Sequence, residues 1–282
     1  MRTIMKYDQF NRLYQESAKS VLKFLTNQMQ LEIAEHCYGW RPGLFDFENY
    51  LFASSKRFYE AYEMFARNDA MRKICDIGGF WGTFPLTLKK IGYEVTMTES
   101  LCYYSDTFTD LFKYLVEEGV NVVDLDPFQE NAIPPSTTYD FVTVLAVLEH
   151  YPHSPKVFMQ NISAMIHDEG RLYIEVPNIV FLPKRASFMR GKTPLVPMRD
   201  IFRSKIPFVG HSHEFIMQEL TDLAELSSLT IEARKYFNYS PHTLASPRNI
   251  VRHPLQALAF ALVKDTRECL AICCKKGNAT NA

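Results

Sequence analysis

The sequence of 282 residues predicts an α/β fold with a mostly parallel, doubly wound sheet. Two observations support this prediction. Short apolar strand patterns alternate with helix patterns from about residue 71 onwards, and the first strand pattern runs into a glycine-rich turn. The hydrophobic share of 47% and the charged share of 22% are those of an ordinary globular protein. The chain is therefore long enough for one large domain, or for one domain with an added cap.

The first seventy residues are predicted to form a helical cap, residues 1–70. Residues 8–36 carry apolar side chains at steps of three and four, which predicts one helix, and the pattern breaks between Gly39 and Gly43. Residues 54–68 repeat the helical spacing with an aromatic face. Two interpretations stay open for these helices: plain packing against the main domain, or a cover over an active site.

The main domain is predicted over residues 71–275, and a disordered tail is predicted at 276–282. Seven strand patterns run through the domain, at residues 73–77, 93–98, 120–124, 140–145, 171–176, 229–237 and 268–275. Helix patterns lie between them, at residues 83–91, 106–117, 155–167, 217–226 and 255–264. Such alternation places helices on both faces of the sheet.

Residues 178–215 are predicted to be an insertion on the substrate side. Between Asn178 and Gly210 the chain is rich in proline and in basic residues, so we expect irregular structure there. The basic side chains could hold an anionic substrate, or they could form a solvated loop whose charges balance acids elsewhere.

Charge and cysteine content exclude several classes of function. A net charge of −1 gives no global attraction to nucleic acid or to anionic membranes, although local basic patches stay open, and no nucleic-acid partner is expected. The six cysteines lack the spacing of metal ligands, so we expect reduced thiols and a cytoplasmic protein. No bound metal is expected, although Glu149, His150 and His153 lie close enough in the sequence to keep a divalent ion open. No signal-peptide pattern opens the sequence, and no apolar run reaches the ~20 residues that span a membrane.

The glycine-rich turn at residues 78–82 indicates the class of cofactor. The strand pattern before it carries Asp76, and the next strand pattern ends at Glu99, an order typical of a nucleoside-binding βαβ unit. A dinucleotide-binding loop needs glycine at its third position, where this chain has Phe80. Asp76 is a poor neighbour for a diphosphate and a good one for a cation. These residues favour a phosphate-free, positively charged nucleoside such as S-adenosylmethionine over a nicotinamide dinucleotide.

Together with later segments, these residues resemble the motifs of class I S-adenosylmethionine-dependent methyltransferases. The resemblance covers residues 71–240 in the order and spacing of the family. The matching segments are the glycine turn, Glu99, Val122–Asp126, Tyr139–Val142, Val147–His150, Asp168–Leu172 and Val176–Asn178. The resemblance implies a Rossmann-like fold of seven strands in which the last strand is antiparallel. The segments are most similar to ubiquinone-biosynthesis O-methyltransferases and to methyltransferases that act on sugars.

The resemblance also implies which residues bind the cofactor. Glu99 is similar to the acid that accepts hydrogen bonds from both ribose hydroxyls. Asp124 is similar to the acid that takes the adenine amino group, and Asp126 competes with it for this role. The full set expected to contact the cofactor is Asp76, Gly78, Gly79, Phe80, Gly82, Glu99, Asp124, Leu125 and Leu145. Phe80 departs from the glycine that most members of the family have.

One glutamate and three histidines are the candidate catalytic residues. In the related fold the exit of the fourth strand faces the methyl group, so His150 is the first candidate for the base that removes a hydroxyl proton. Glu149 would orient His150 or fix a substrate hydroxyl. His211 and His213 are second candidates, on a segment expected to close over the site. His213 stands where a similar stretch of the family has arginine.

The sequence therefore predicts an enzyme that transfers a methyl group from S-adenosylmethionine to an oxygen of a small molecule, a sugar or a glycan intermediate. S-adenosylhomocysteine is the expected second product. An alternative from another class is a catalytically silent S-adenosylmethionine-binding protein with a structural or regulatory role, which Phe80 supports.

Overall fold

The computed structural model describes residues 4–37, 46–130, 132, 138–206 and 208–277. Seven strands form one sheet: β1 (Lys73–Ile77), β2 (Glu94–Glu99), β3 (Asn121–Asp124), β4 (Tyr139–Leu145), β5 (Ile166–Pro177), β6 (Leu229–Phe237) and β7 (Cys269–Lys276). Their order across the sheet is β3-β2-β1-β4-β5-β7-β6. Strand β7 runs antiparallel to both of its neighbours, and the other pairs are parallel. This confirms the predicted α/β, Rossmann-like fold class, including the antiparallel last strand.

Twelve α-helices accompany the sheet in the described residues. They are α1 (Tyr7–Leu22), α2 (Asn27–Cys37), α3 (Phe47–Ala53), α4 (Ser55–Phe65), α5 (Thr83–Ile91), α6 (Thr109–Glu117), α7 (Lys156–Ala164), α8 (Leu182–Met189), α9 (Met198–Arg203), α10 (Met217–Leu226), α11 (Pro247–Arg252) and α12 (Pro254–Leu262). None of these described helices combines the length and the apolar character needed to cross a bilayer.

Strand β1 occupies the centre of the parallel region. It pairs with β2 on one side, where Lys73 lies opposite Glu94, and with β4 on the other, where Ile74 lies opposite Phe141. The order of the strands reverses at this point, because β2 and β3 lie on one side of β1 and β4 and β5 on the other. In open α/β sheets, ligands bind at the carboxyl ends of the strands beside such a switch point.

Each face of the sheet packs against its own apolar layer. On one face, the ring of Phe65 in α4 lies 4.7 Å from the ring of Phe141 in β4, centroid to centroid. On the other face, Phe158 of α7 and Leu220 of α10 are fully buried. Burying a side chain such as Phe65 contributes about 1.5–3 kcal/mol to stability. The N-terminal helices therefore share an apolar layer with the sheet rather than standing apart from it.

The prediction of one helix over residues 8–36 is wrong, because the structure has two helices, α1 and α2, with a short break between them. The hydroxyl oxygen of Thr26 accepts a hydrogen bond from the amide of Met29 at 3.2 Å, which starts a new helix. Phe24, in the break, stacks on Tyr114 of α6 with 5.0 Å between ring centroids. The apolar spacing continues across the break because both helices face the same apolar layer.

The insertion that was expected to be irregular contains two helices, α8 and α9. Two of its prolines stand at helix starts, where a missing amide leaves no hydrogen bond unmade. Pro183 lies in the first turn of α8, and Pro197 immediately precedes α9. Helix α11, which no pattern predicted, begins in the same way, with Ser246 as the N-cap and Pro247 as the next residue.

Two predicted boundaries also differ from the structure. The helix predicted over 155–167 ends earlier, because β5 already begins at Ile166. Lys276, which was placed in the predicted tail, is the last residue of β7. The predicted break at Gly39–Gly43 and residues 278–282 of the predicted tail lie outside the described residues.

Candidate active site

A cavity of about 800 Å³ opens at the carboxyl ends of the parallel strands. Gly78 follows β1, Glu99 ends β2, Leu145 ends β4 and Glu175 lies near the end of β5, and all four line the cavity. Side chains of α3 and α4 form another part of its wall, and further parts come from residues that follow β2, β3, β4 and β5. A cavity of this volume is of the size that proteins use for small organic ligands.

Asp76 lies on β1, close to the glycine turn, and its carboxyl group is buried. Its Oδ1 accepts a hydrogen bond from the hydroxyl of Thr143 on β4 at 2.6 Å. Burial raises the pKa of Asp76 to about 7, and the hydrogen bond from Thr143 opposes this shift. A cation bound beside this carboxyl would stabilise its ionised form.

The glycines of the turn are required by close packing around it. Gly78 has a φ of +64°, and a Cβ atom there would lie 2.7 Å from the side chain of Val147. A Cβ atom on Gly79 would lie 2.9 Å from the carboxylate of Asp76. Gly82 has a φ of +67°, but it stands at the start of α5 and does not line the cavity. The first two glycines therefore keep the turn close to Asp76, and the third starts the helix.

Glu99, at the end of β2, is buried and has one carboxylate oxygen without a hydrogen-bond partner among the described residues. Its Oε2 accepts a hydrogen bond from the hydroxyl of Tyr104 at 2.9 Å, and its Oε1 has no hydrogen-bond partner among the described residues. Burial raises the pKa of Glu99 to about 8, and Tyr104 opposes this shift. The ring of Phe80 stacks on the same tyrosine, with 6.0 Å between centroids, and also lines the cavity.

The two acids that follow β3 have different surroundings. Asp124 is exposed and outside the cavity, and its Oδ1 accepts a hydrogen bond from the amide of Leu101 at 3.0 Å. Asp126 lines the cavity together with Leu125. Its Oδ1 accepts a hydrogen bond from the amide of Phe128 at 3.0 Å. Of the two acids that the sequence left open for one role, the structure brings Asp126 to the cavity.

A short 3₁₀ turn after β4, Leu148–His150, carries Glu149 and His150 to the cavity wall. Glu149 is fully buried, and neither of its carboxylate oxygens has a hydrogen-bond partner among the described residues. Its Oε1 lies 3.9 Å from Nε2 of His211, and the rings of His150 and His211 are 4.8 Å apart. The Nδ1 of His150 lies 2.6 Å from the carbonyl oxygen of Val209, so we assign its proton to Nδ1 and its lone pair to Nε2.

Burial shifts the titration of Glu149 and His150 in opposite directions. It raises the pKa of Glu149 to about 7, and the neighbouring His211 opposes this shift. It lowers the pKa of His150 to about 4, and His211 lowers it further. Near neutral pH the carboxyl is therefore close to half titration, whereas the imidazole of His150 is neutral. The ligand atoms of these three residues lie within 4.8 Å of one another, an arrangement that could also hold a metal ion.

A family model described as a methyltransferase domain matches residues 50–234, which is more than half of the chain. The chain belongs to this methyltransferase family. It is therefore an enzyme that transfers methyl groups, with S-adenosylmethionine as its cofactor, as the sequence predicted. A search of curated proteins gives no match.

Solved methyltransferase structures share the fold. Magnesium protoporphyrin IX methyltransferase from Synechocystis PCC 6803, with bound S-adenosylhomocysteine, has a TM-score of 0.54 at 12% identity over 92% of this chain and 100% of that chain. A methyltransferase from Archaeoglobus fulgidus has a TM-score of 0.50 at 18% identity over 81% and 94% of the two chains. The N-methyltransferase NodS from Bradyrhizobium japonicum WM9 has a TM-score of 0.50 at 14% identity over 80% and 97%.

In this methyltransferase, His211 lines the cavity, whereas His213 lies outside it. The amide and the hydroxyl of Ser212 both donate to the carbonyl oxygen of Glu149, at 2.8 and 3.1 Å, which fixes this segment against the 3₁₀ turn. His211 then lines the cavity. The side chain of His213 is 53% exposed and pairs with the first turn of α10. The sequence named His213 as a candidate catalytic residue, but its side chain does not line the cavity.

A series of charged contacts joins α8 to His211. The Nζ of Lys184 pairs with Oε2 of Glu214, and Oε1 of Glu214 lies 3.0 Å from Nδ1 of His211. A carboxylate at Nδ1 holds a proton on that nitrogen and fixes the orientation of the ring. The tautomer and the orientation of His211 therefore depend on α8.

Sequence reasoning missed a buried ion pair in the site, between Arg57 of α4 and Glu175 of β5. The Nε of Arg57 donates to Oε2 of Glu175 at 2.7 Å, and a second guanidinium nitrogen contacts the same oxygen. Both residues line the cavity and are at most 5% exposed. The ring of Tyr239 lies 5.6 Å from the guanidinium carbon. The available signal was Glu175 itself, because an acid inside an apolar strand pattern needs a buried partner.

Proposed function

We propose that this methyltransferase acts on a hydroxyl group of a small acceptor, such as a phenol, a quinol or a sugar. The carboxyl of Glu149 supports this most directly, because it lines the cavity, has a pKa of about 7 and accepts no hydrogen bond from another described residue. A hydroxyl group must lose its proton when it is methylated, and a base whose pKa lies near neutrality suits that task.

The cofactor belongs, in this proposal, on the β1–β2 side of the cavity. The unpartnered Oε1 of Glu99 would accept hydrogen bonds from the ribose. The carboxyl of Asp76 would face the positive end of S-adenosylmethionine, which carries an ammonium and a sulfonium. Leu125 and Asp126 would contact the adenine, with Asp126 in the role for which the sequence named Asp124 first. The turn at Gly78 leaves room for the cofactor to approach the backbone.

Phe80 fits this arrangement. Its ring stacks on Tyr104 with 6.0 Å between centroids and packs at a tilt against Trp81 with 4.8 Å between centroids, and both Asp76 and Glu99 still line the cavity. The phenylalanine therefore adds an apolar wall without removing either acid from the site. This favours a working cofactor site over the catalytically silent binding protein that was the alternative.

In the transfer step, a lone pair of the acceptor oxygen attacks the methyl carbon. A C–O bond forms while the C–S bond breaks, and the electron pair of that bond returns to sulfur as the neutral thioether of S-adenosylhomocysteine. The hydroxyl proton passes to Glu149. Glu149 thus takes the role of base for which the sequence named His150 first, because a pKa of about 4 makes the imidazole of His150 a weak proton acceptor. Alignment of the two reacting atoms supplies several further kcal/mol.

The acceptor side of the cavity supports a small organic substrate that carries a ring. Its wall includes the aromatic side chains Tyr50, Phe58, Tyr151, Phe181, Phe208 and Tyr239. Such walls hold planar rings by stacking and edge contacts. The polar groups Arg57, Glu149 and His211 converge on the same space and would orient the hydroxyl.

A transfer assay with isotopically labelled S-adenosylmethionine tests the proposal. The purified protein is offered phenols, quinols, sugars and primary amines, and mass spectrometry with NMR identifies the methylated atom. We expect methyl ethers, and we expect Glu149→Gln to lose transfer while it still binds S-adenosylhomocysteine. His213→Gln is the matched control, because it replaces a titratable residue outside the cavity. Methylation of amines alone would contradict the proposal.

A further inference from the structure

Exposed apolar side chains are concentrated in two segments, residues 184–206 and 247–264, which we call the basic-apolar surface. In the described part of the chain these segments carry twelve of the sixteen large apolar side chains that are exposed. Ile206 is 96% exposed, Phe202 is 88% exposed and Met189 is 85% exposed. A single exposed apolar residue is ordinary, but a concentration of them marks an interaction surface.

The helices of this surface turn apolar side chains to the outside. Leu255, Leu258 and Leu262 of α12 follow one another at steps of three and four residues, so they share one face, and all three are exposed. Phe260 of the same helix points inward and stacks on Phe181, with 6.0 Å between ring centroids. Helix α12 therefore has apolar side chains on both its inner and its outer face, unlike an ordinary surface helix.

Charge is concentrated in the same two segments. They hold ten of the 31 lysine and arginine residues of the chain, but one of its 32 aspartate and glutamate residues. Three of these ten cations form ion pairs in the described structure, and the other seven, among them Arg199, Arg203 and Arg252, form none there. The net charge of −1 is therefore the sum of a positive charge on this surface and a negative charge on the rest of the chain.

The two segments lie side by side and border the cavity. Phe181, at the start of α8, stacks on α12, and Arg185 of α8 pairs with Asp265, just after α12, at 3.2 Å. Phe181 and Lys184 also line the cavity. The basic-apolar surface thus begins at the rim of the site.

We propose that the basic-apolar surface binds the surface of an anionic lipid bilayer. Apolar side chains on short helices bury in the boundary between headgroups and acyl chains, while neighbouring cations meet the negative charge of the lipids. A symmetric contact with a second copy of the chain would instead bring two sets of unpaired cations together, which like-charge repulsion opposes. A bilayer satisfies both the apolar residues and the cations.

Sedimentation of the full chain with lipid vesicles tests the proposal. We expect binding to vesicles of phosphatidylcholine mixed with phosphatidylglycerol, weaker binding to phosphatidylcholine alone, and loss of binding as salt rises. The triple variant Arg199→Gln/Arg203→Gln/Arg252→Gln should bind the anionic vesicles about 100-fold more weakly. The double variant Phe202→Ser/Leu255→Ser should also bind more weakly.

A triple variant with the same change of charge elsewhere is the control. Lys19→Gln/Lys90→Gln/Lys113→Gln alters three exposed lysines outside the surface and should bind vesicles like the unaltered chain. All these positions are exposed, and an unchanged melting temperature checks that each variant folds.

Three outcomes would overturn the proposal. The unaltered chain could fail to bind anionic vesicles, or both triple variants could bind them equally well. The third outcome is a stable dimer that Phe202→Ser/Leu255→Ser converts to a monomer in the absence of vesicle binding, which would assign the surface to a second copy.

Discussion

The two sides of the cavity are assembled from the chain in different ways. The cofactor side comes from the nearly continuous stretch between β1 and Asp126, in which each acid lies at or just after a strand end. The acceptor side brings together Arg57 of α4, Glu149 after β4, Glu175 of β5 and His211 of the insertion. Under the proposed assignment, cofactor recognition is encoded locally, whereas acceptor recognition depends on contacts between distant parts of the chain. Different substitutions should then affect the two sides separately.

The largest expected effect is on methyl transfer at the acceptor side. Glu149→Gln should lower the rate of transfer roughly 10²- to 10⁴-fold, because the amide cannot take the hydroxyl proton. The rise in melting temperature that S-adenosylhomocysteine produces should stay unchanged, since the cofactor side is intact. Rates for His213→Gln should match those of the unaltered enzyme. A loss of S-adenosylhomocysteine binding in Glu149→Gln would mean that the two sides are not separable.

The buried ion pair between Arg57 and Glu175 is expected to contribute to the free energy of unfolding. Arg57→Met leaves Glu175 buried without its cation and should lower the free energy of unfolding by about 3–5 kcal/mol, measured by urea denaturation. The double variant Arg57→Met/Glu175→Gln should regain most of this loss. Arg171→Met is the matched control, because its partner Glu232 is 33% exposed, and about 1 kcal/mol or less is expected. Equal losses of unfolding free energy in Arg57→Met and Arg171→Met would mean that the buried ion pair contributes no more to stability than the exposed one.

Substitutions on the cofactor side should weaken binding without a large loss of stability. Glu99→Gln removes a charged acceptor for the ribose hydroxyls and should weaken S-adenosylhomocysteine binding roughly 10- to 100-fold by calorimetry. Asp126→Asn should weaken it less, and Asp124→Asn should leave it unchanged, since Asp124 is exposed and outside the cavity. A larger loss of affinity in Asp124→Asn than in Asp126→Asn would mean that Asp124, and not Asp126, binds the adenine.

Cofactor binding should strengthen as the pH rises through the titration of Asp76 and Glu99. Burial raises their pKa values to about 7 and about 8, so both carboxyls are largely protonated in the free enzyme at low pH. The ammonium and the ribose hydroxyls favour the ionised carboxylates. Affinity for S-adenosylmethionine should therefore rise about tenfold or more from about pH 5 to about pH 7, a range in which the α-ammonium of the cofactor, with a pKa of about 7.7–8.0, stays protonated.

The stability of the free enzyme should fall as the pH rises, in contrast to its affinity for the cofactor. An acid whose pKa is raised in the folded state binds more protons there than in the unfolded state. Stability therefore falls as the pH rises from the ordinary carboxyl range through about 7 to 8. Thermal melts with and without S-adenosylmethionine across this range measure both trends, and parallel pH profiles would contradict the assignment of the two acids.

The smallest expected effect is that of metal removal. If Glu149 takes the proton directly, incubation with EDTA should leave the rate of methyl transfer unchanged. Added Zn²⁺ should inhibit, because it would occupy the oxygen of Glu149 and the ring nitrogens of His150 and His211. Loss of activity in EDTA and its recovery with Zn²⁺ would instead make these three residues a metal site that activates the acceptor.

Features that depend on neighbouring residues were predictable from the sequence. Strand β1 and helix α5 have the predicted boundaries, 73–77 and 83–91, because an apolar run, a glycine turn and a helix pattern specify them in order. Glu99 was expected at the end of β2 for the same reason. Helix α8 was missed because proline was interpreted as a breaker, although Pro183 stands in a first turn, where proline is tolerated.

Features that depend on distant residues were not predictable in this way. Arg57 and Glu175 lie 118 positions apart, and no spacing rule relates them. His211 and His213 are nearly equivalent in the sequence. The structure distinguishes them through Ser212, whose hydrogen bonds reach back 63 positions to Glu149 and decide which ring faces the cavity.

The contacts from Lys184 through Glu214 to His211 have a mechanical consequence. They connect an imidazole of the site to a helix that also forms part of the basic-apolar surface. A displacement of α8 that separates Lys184 from Glu214 would leave a carboxylate without its cation, and that carboxylate holds the proton of His211. The orientation of the ring therefore depends on the position of α8, and a nitrogen chemical shift of Nδ1 of His211 would report the loss of its hydrogen bond to Glu214.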